Sequence, residues 1–165
     1  MKTIKITEKQ MEQLCDHVRN HCKKEVYLMT EFGKSQHPID VFPLTKENME
    51  LIPDHVQFGN YRIGIVKDDE FWGRYFGCSD NNQGGLRQRV KDHIGDTKTD
   101  REKRIYDHSY YFWFEVKSSA KEAYEQECKD YHTFIEIDED GCVDNDEHPD
   151  KLDGMSYLTC PVCGQ

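Results

Sequence analysis

Three polar side chains fall on predicted helix faces that are otherwise apolar, and their groups are those that bind metal ions and phosphate. Glu127 follows Ala123 and precedes Tyr131 at helical spacing. An ionised carboxylate turned toward a core costs several kcal/mol unless a cation or hydrogen-bond donors meet it. Arg89 and His93 stand one turn apart in an aliphatic stripe. An arginine or a metal ion would satisfy Glu127, and His93 could reach either.

Two interpretations of this pattern remain open. In the first, Arg89 and Glu127 form a buried ion pair and His93 is a core histidine. In the second, the three groups form a functional site, because mutually dependent charges cluster at such sites. Both interpretations require that the two helices pack on one small sheet and turn these groups inward.

The central part of the chain predicts a hairpin, a helix, a strand and a second helix. A polar turn separates two strands rich in apolar and aromatic residues, and Ser119 and Glu122 form a capping box before the last helix. The fold class that follows is α/β, of the α+β type, with a small, mainly antiparallel sheet flanked by helices. The predicted strands cover 61–66, 71–77 and 110–116, and the predicted helices cover 86–94 and 119–134.

The two ends of the chain differ from this central part. The N-terminal third predicts a helix over 7–23, strands near 26–29 and 39–42, and a short helix after Thr45. After residue 135 the chain becomes acidic and irregular. We therefore divide it into an N-terminal helix–strand extension packed on the core, a central domain, and an acidic tail that contains cysteines. Their boundaries are 1–58, 59–135 and 136–165.

Length and composition limit the classes of protein to which the chain can belong. Its 165 residues suit one domain, or one domain with a small attachment. No apolar run approaches the roughly 20 residues of a membrane helix. The N-terminus is too polar for a secretory signal, so we expect a cytoplasmic location and no membrane partner. The odd number of cysteines, seven, argues against a disulfide framework.

The charge of the chain is unevenly distributed. The formal net charge of −10 opposes nucleic-acid binding, because phosphate contacts need lysine and arginine. Between Arg87 and Arg104, however, seven basic residues face four acidic ones, whereas residues 136–154 hold nine acidic residues and one lysine. Either both segments are solvated surface, or the first is a phosphate-facing edge and the second is an acidic tail held away from it.

The order of several short motifs resembles that of the GIY-YIG nuclease family. Gly64-Ile65-Val66, followed by Tyr75-Phe76-Gly77, resembles its two-strand signature. Residues 86–93 resemble the next helix, in which the catalytic arginine is followed four residues later by a histidine in many members. Residues 123–127 resemble the helix with the metal-binding glutamate. The first motif ends in Val66 where a tyrosine is usual, and strand alternation places Tyr61 on the opposite face from Val66.

The resemblance implies a divalent-metal-dependent endonuclease that hydrolyses phosphodiester bonds of nucleic acid, with DNA favoured over RNA. Glu127 would hold one Mg²⁺ or Mn²⁺ ion, and Arg89 would pair with phosphate oxygens. His93 or Tyr75 would orient or deprotonate the attacking water. The substrate-binding residues would be Arg87, Lys91 and Cys78. A catalytically inactive module of the same fold, which binds nucleic acid or protein, is the alternative.

The C-terminal tail ends in a pair of cysteines, Cys160 and Cys163, whose spacing is typical of half a zinc knuckle. A closed Zn²⁺ site needs about two more ligands. The side chains available for this are Cys128, His132, Cys142 and His148. The alternative is that both thiols are unligated. His17 and His21 also have a spacing that can bind metal, but they lie off the apolar stripe and we expect them to be exposed.

Overall fold

The computed structural model describes residues 24–30, 33–80, 84–94, 100, 111–137 and 143–165. The predicted first helix, with His17 and His21, lies outside these residues. So do Cys142 and the basic residues Lys98, Arg101, Lys103 and Arg104. No helix in the described part is long and apolar enough to cross a membrane.

Five strands form one sheet, and the predicted fold class is confirmed. The strands are β1 (Lys24–Thr30), β2 (Gly33–Pro43), β3 (Gly59–Lys67), β4 (Glu70–Ser79) and β5 (Tyr111–Val116). Their order is β1-β2-β5-β3-β4, and the sheet closes on itself through a short parallel pairing of β1 with β4. All other pairings are antiparallel. A 3₁₀ helix (Glu47–Leu51) and two α-helices, α1 (Gly85–Lys91) and α2 (Ala120–Ile137), pack against it.

The hairpin of β3 and β4 is the part of the sheet on which the candidate site is built. Its turn is formed by Asp68 and Asp69, both with left-handed φ angles of 53° and 58°, which is the conformation that two-residue hairpin turns require. Further along, Ile63 pairs with Tyr75, but Gly64 pairs with Gly73. The strand β4 therefore bulges by one residue directly before Tyr75, and such bulges redirect the side chains beside them.

The two faces of β3 hold different helices. Tyr61 and Ile63 belong to a buried cluster that includes Leu86 and Val90 of α1 and Met49 of the 3₁₀ helix. On the other face, the Asn60 side chain donates a hydrogen bond of 2.8 Å to the Ala123 carbonyl of α2. Side chains of α1 and of α2 therefore approach β4 from opposite faces of the sheet.

A buried ion pair that we did not predict fixes α2 to the sheet. Arg62 of β3 donates two hydrogen bonds to Asp130, of 3.1 Å and 2.8 Å. Both side chains are less than a tenth exposed, and the Arg62 guanidinium lies 5.1–5.7 Å from the ring centres of three aromatic residues. Bidentate geometry and aromatic stacking are what a buried arginine needs. The three rings are those of Phe76, Trp113 and Phe134.

The tail covers the free edge of β4. The Asp144 N–H donates to the Arg74 carbonyl at 2.6 Å. The Asn145 carboxamide then accepts from the Phe76 N–H and donates to the Phe76 carbonyl, both at 2.9 Å. Beyond this edge, Leu152, Leu158 and Cys160 pack in a buried cluster with residues of α2.

We predict that Asp130→Ala lowers the free energy of unfolding by about 3–5 kcal/mol, because it leaves the Arg62 charge buried without a partner. Denaturant unfolding would measure the loss. The matched control is Glu125→Ala on the same helix, since Glu125 pairs with Lys121 at 3.6 Å on the surface and should contribute less than about 1 kcal/mol. Equal losses for the two variants would contradict the prediction.

Candidate functional site

A pocket of about 190 Å³ opens where β4, α1, α2 and the tail meet. The sheet and helices contribute Tyr75, Cys78, Arg89 and Glu127 to its wall. The structure thus brings together four of the residues that the sequence singled out. The tail contributes the rest of the wall, Asn145, Glu147, His148, Pro149, Asp150 and Leu152.

Glu127 reaches the pocket from α2 and meets Cys78 of β4. Burial raises the pKa of the Glu127 carboxyl to about 7, although hydrogen bonds from the Cys78 thiol and N–H and the charge of Arg89 oppose this rise. Burial and the nearby Glu127 carboxylate together raise the pKa of Cys78. Cys78 is therefore a protonated thiol that donates to Glu127, and Glu127 takes up a proton near neutral pH unless a cation replaces it.

Arg89 reaches the same pocket from α1, and one N–H donor of its guanidinium makes no hydrogen bond within the described part of the chain. Its Nε is buried and has no hydrogen-bond acceptor among the described residues. Within the same part of the chain, no ion pair joins Arg89 to Glu127. Interaction with Tyr61 raises the pKa of Arg89, and burial only partly opposes this, so the side chain remains a cation. The two opposite charges thus face one pocket without contact, and the buried ion pair of the first interpretation is not formed.

His93 lies beside the pocket in a cluster of aromatic rings. Its Nε2 is hydrogen-bonded to the Tyr61 hydroxyl at 2.8 Å, and its ring centre lies 4.7 Å from that of Tyr75. Tyr61 is fully buried, and burial, followed by the nearby Tyr75, raises its pKa well above the usual value. Tyr61 is therefore a neutral phenol that holds the His93 ring beside Tyr75.

Strand alternation set Tyr61 aside as a replacement for the tyrosine usual at Val66, so the sequence assigned it no role in the site. Alternation correctly separates it from Val66, but Val66 packs with Val41 and Phe71, away from the pocket. The residue that would have indicated the position of Tyr61 is in the partner strand, because Tyr61 pairs directly with Gly77. A Cβ at Gly77 would collide with the Tyr61 hydroxyl, so the glycine lets the tyrosine ring cross β4.

Two residues that we expected to contact substrate lie elsewhere. Arg87 donates to the Ile52 carbonyl at 2.6 Å and pairs with Glu50 at 3.0 Å and with Asp54. It therefore ties α1 to the 3₁₀ helix and its following loop. Lys91 is exposed at the end of α1 and does not line the pocket.

The acidic tail is not held away from the basic helix. Glu147 and Asp150 line the pocket together with Arg89, and Asn145 is hydrogen-bonded to Phe76 of β4. The sequence did not indicate this, because an irregular segment has no periodicity that tells which surface it covers.

The predicted cysteine pair lies in a second cluster at the far end of the tail. Side-chain atoms of His132, His148, Cys160 and Cys163 all lie within 4.8 Å of one another. Burial alone would raise the pKa of Cys160, but N–H donors of Cys163 and Val162 and the His148 side chain lower it to about 5. Among the four additional ligands that the sequence offered, the structure brings the two histidines, but not Cys128, into this cluster.

Comparison of the chain with family models, curated proteins and solved structures gave no match. The GIY-YIG resemblance therefore rests on the sequence motifs alone. Of the motif residues, Tyr75, Arg89 and Glu127 line the pocket, and His93 packs against Tyr75.

We predict that Glu127 makes stability depend on pH in the metal-free protein. Its pKa is raised in the folded state to about 7, so its stabilising contribution is complete below about pH 4.5 and is lost as the pH rises toward 7. Relative to Glu127→Gln, the wild type should lose about 3 kcal/mol over this interval. Denaturant unfolding at several pH values, with EDTA present, would measure the difference.

The control for this experiment is Glu125→Gln, which lies two residues before Glu127 on α2 and pairs with Lys121 on the surface. Its unfolding free energy should follow that of the wild type at each pH. A difference between wild type and Glu127→Gln that is constant from pH 4.5 to pH 8 would contradict the prediction.

Proposed function

We propose that the chain is a divalent-metal-dependent endonuclease that hydrolyses phosphodiester bonds of nucleic acid, with DNA the favoured substrate. The observation that supports this most directly is the separation of Arg89 and Glu127 across one pocket. Two opposite charges without contact leave space for a ligand that carries both signs, and a metal–phosphate pair is such a ligand. The motif resemblance supports the same assignment, independently of this geometry.

The residues of the pocket fit a hard divalent cation. Glu127 offers a carboxylate, and Glu147 and Asp150 add two more acidic groups to the wall. Mg²⁺ and Mn²⁺ prefer oxygen ligands and retain several waters. A volume of about 190 Å³ has room for an ion and a few waters of roughly 30 Å³ each. When bound, the ion would supply Lewis-acid stabilisation of the phosphate and its leaving oxygen.

Arg89 would bind the scissile phosphate. Its guanidinium is charged, faces the pocket and has an unused buried Nε donor. The planar fork of arginine matches two phosphate oxygens, and donors that are already positioned stabilise charge as it develops in the transition state. Because this group is held near the pocket before substrate arrives, little reorganisation is needed when the phosphate binds.

Tyr75 or His93 would orient the attacking water or accept its proton. Tyr75 lines the pocket, and its ring packs against that of His93. Arg89 lies close enough to Tyr75 for electrostatic interaction, so a guanidinium meets charge that develops on the phenol oxygen. Tyr61 would act as a positioning residue, since its hydrogen bond holds the His93 ring.

The charge balance of the pocket gives an order of binding. Glu127, Glu147 and Asp150 outnumber Arg89, so an empty pocket repels a polyanion once Glu127 is ionised. Binding of a divalent cation removes this repulsion. We therefore infer that the metal binds before the nucleic acid, and that the overall charge of −10 restricts substrate contact to the neighbourhood of the loaded site.

One observation favours the alternative function, a catalytically inactive module that binds nucleic acid or protein. The Cys78 thiol and N–H both donate to Glu127, so the carboxylate already has partners in the absence of a metal. In the resembled family, a lysine often follows the second motif, and Cys78 occupies that position. Such a module would bind its ligand without cutting it.

The deciding experiment is incubation of labelled DNA and RNA with the full chain and Mg²⁺ or Mn²⁺. We predict metal-dependent cleavage that falls by about 100–1,000-fold in Glu127→Gln, because this variant keeps the size of the side chain but loses the metal ligand. Glu125→Gln, on the same helix, should cut as the wild type does. Salt-sensitive binding without cleavage would support the inactive module, and the absence of both binding and cleavage would overturn the nuclease proposal and nucleic-acid binding by the module.

A second prediction separates Tyr75 from the other tyrosines. Tyr75→Phe keeps the ring beside His93 but removes the hydroxyl, so we expect cleavage to fall by about 100-fold with little change in substrate binding. Tyr157→Phe is the control, because Tyr157 is 73% exposed. Single-turnover cleavage and equilibrium binding would be measured for both. Wild-type cleavage by Tyr75→Phe would exclude its hydroxyl from the reaction.

A further inference from the structure

The cluster at the end of the tail has the composition of a closed metal site. His132 comes from the last third of α2, His148 from the segment that lines the pocket, and Cys160 and Cys163 from the final turn. Two imidazoles and two thiols are a ligand set that Zn²⁺ prefers, whereas Mg²⁺ and Ca²⁺ prefer oxygen. Four protein ligands without an open position are typical of a structural site.

The spacing of the ligand atoms agrees with one shared ion. With Zn–S near 2.3 Å and Zn–N near 2.0–2.1 Å, a tetrahedral site places sulfur and nitrogen ligands about 3.5 Å apart. The Cys163 Sγ lies 3.6 Å from the His148 Nε2, and all four ligand atoms lie within 4.8 Å of one another. Only small side-chain movements are needed to surround an ion.

The backbone of the final turn is arranged around the Cys160 sulfur. The N–H groups of Val162 and Cys163 donate to Cys160 Sγ at 3.4 Å and 3.5 Å. The Gly164 N–H donates to the Cys160 carbonyl at 3.0 Å, and Gly164 has a left-handed φ of 78°, which glycine adopts without strain. Such donors stabilise a thiolate, the form of cysteine that binds metal.

An unsatisfied atom points to a missing ligand. The Nε2 of His132 is buried and has no hydrogen-bond partner among the residues that the structure describes. A buried polar atom without a partner is energetically unfavourable, and a metal bond would remove this cost. This observation is independent of the cysteine spacing, because His132 belongs to a different element.

We propose that His132, His148, Cys160 and Cys163 bind one structural Zn²⁺ ion that pins the tail to α2. Because His148 is both a ligand and part of the pocket wall, the ion also fixes the segment from Asn145 to Asp150 against β4. The proposal stands apart from the nuclease assignment, since a structural ion would hold this wall whatever the pocket binds.

The test measures metal content of the full chain, refolded with Zn²⁺ under reducing conditions and dialysed. We expect one zinc per chain, and in the Co²⁺-loaded protein the absorption bands of a tetrahedral cobalt–thiolate site. Cys163→Ser alters an exposed residue and should leave a folded protein, yet zinc affinity should fall by more than about 100-fold, since even residues that only support ligands change affinity by 10–100-fold. His132→Ala should have the same effect.

Two control variants make the result specific. Cys128→Ala removes a buried cysteine of α2 that packs in the same cluster as Cys160, and His55→Ala removes an exposed histidine; both should retain one zinc. Wild type with less than a tenth of a zinc per chain would overturn the proposal, as would equal zinc loss in Cys128→Ala and Cys163→Ser. A Cys160–Cys163 disulfide that persists in the presence of Zn²⁺ and reductant would also overturn it.

Discussion

The site depends on β4 having one edge that no strand of the described structure covers beyond residue 71. β4 pairs with β3 along its whole length but with β1 only at Glu70 and Phe71. Residues beyond this pairing can therefore be reached from both faces of the sheet. Arg89 approaches from the α1 face, whereas Glu127 approaches from the α2 face and meets Cys78. If another strand covered this edge, the sheet would continue between Arg89 and Glu127 and would keep them on opposite faces.

Two arginine–carboxylate combinations among the described residues have opposite designs, one between β3 and α2 and the other between α1 and α2. Arg62 and Asp130 meet in a closed bidentate pair beneath three aromatic rings. Arg89 and Glu127 face a common space without meeting. A closed pair holds two elements together, whereas an open pair leaves space between its charges for a ligand. Under the proposed function, the closed pair would serve structure and the open pair would serve ligand binding.

The sequence predicted what depends on local pattern and failed where long-range packing decides. Strand and helix periodicity located the hairpin, β5, α1 and α2, and polar residues in apolar stripes indicated Arg89, His93 and Glu127. The sequence did not show that Arg89 faces the pocket while Arg87, two residues earlier, does not. Only packing reveals that Arg87 contacts the 3₁₀ helix. The sequence also assigned no role to Tyr61, whose position depends on a glycine in the partner strand, and did not predict the docking of the tail, which has no periodicity.

The Asn145 carboxamide has a consequence beyond the pocket. It offers Phe76 one acceptor and one donor in the arrangement that a neighbouring peptide group would offer. A single side chain thus replaces one pair of β-sheet hydrogen bonds. It satisfies the Phe76 N–H and carbonyl, which would otherwise be unpaired at the edge. Open sheet edges recruit strands from other chains and promote aggregation. The tail therefore also protects the hairpin from self-association, with an amide side chain instead of an additional strand.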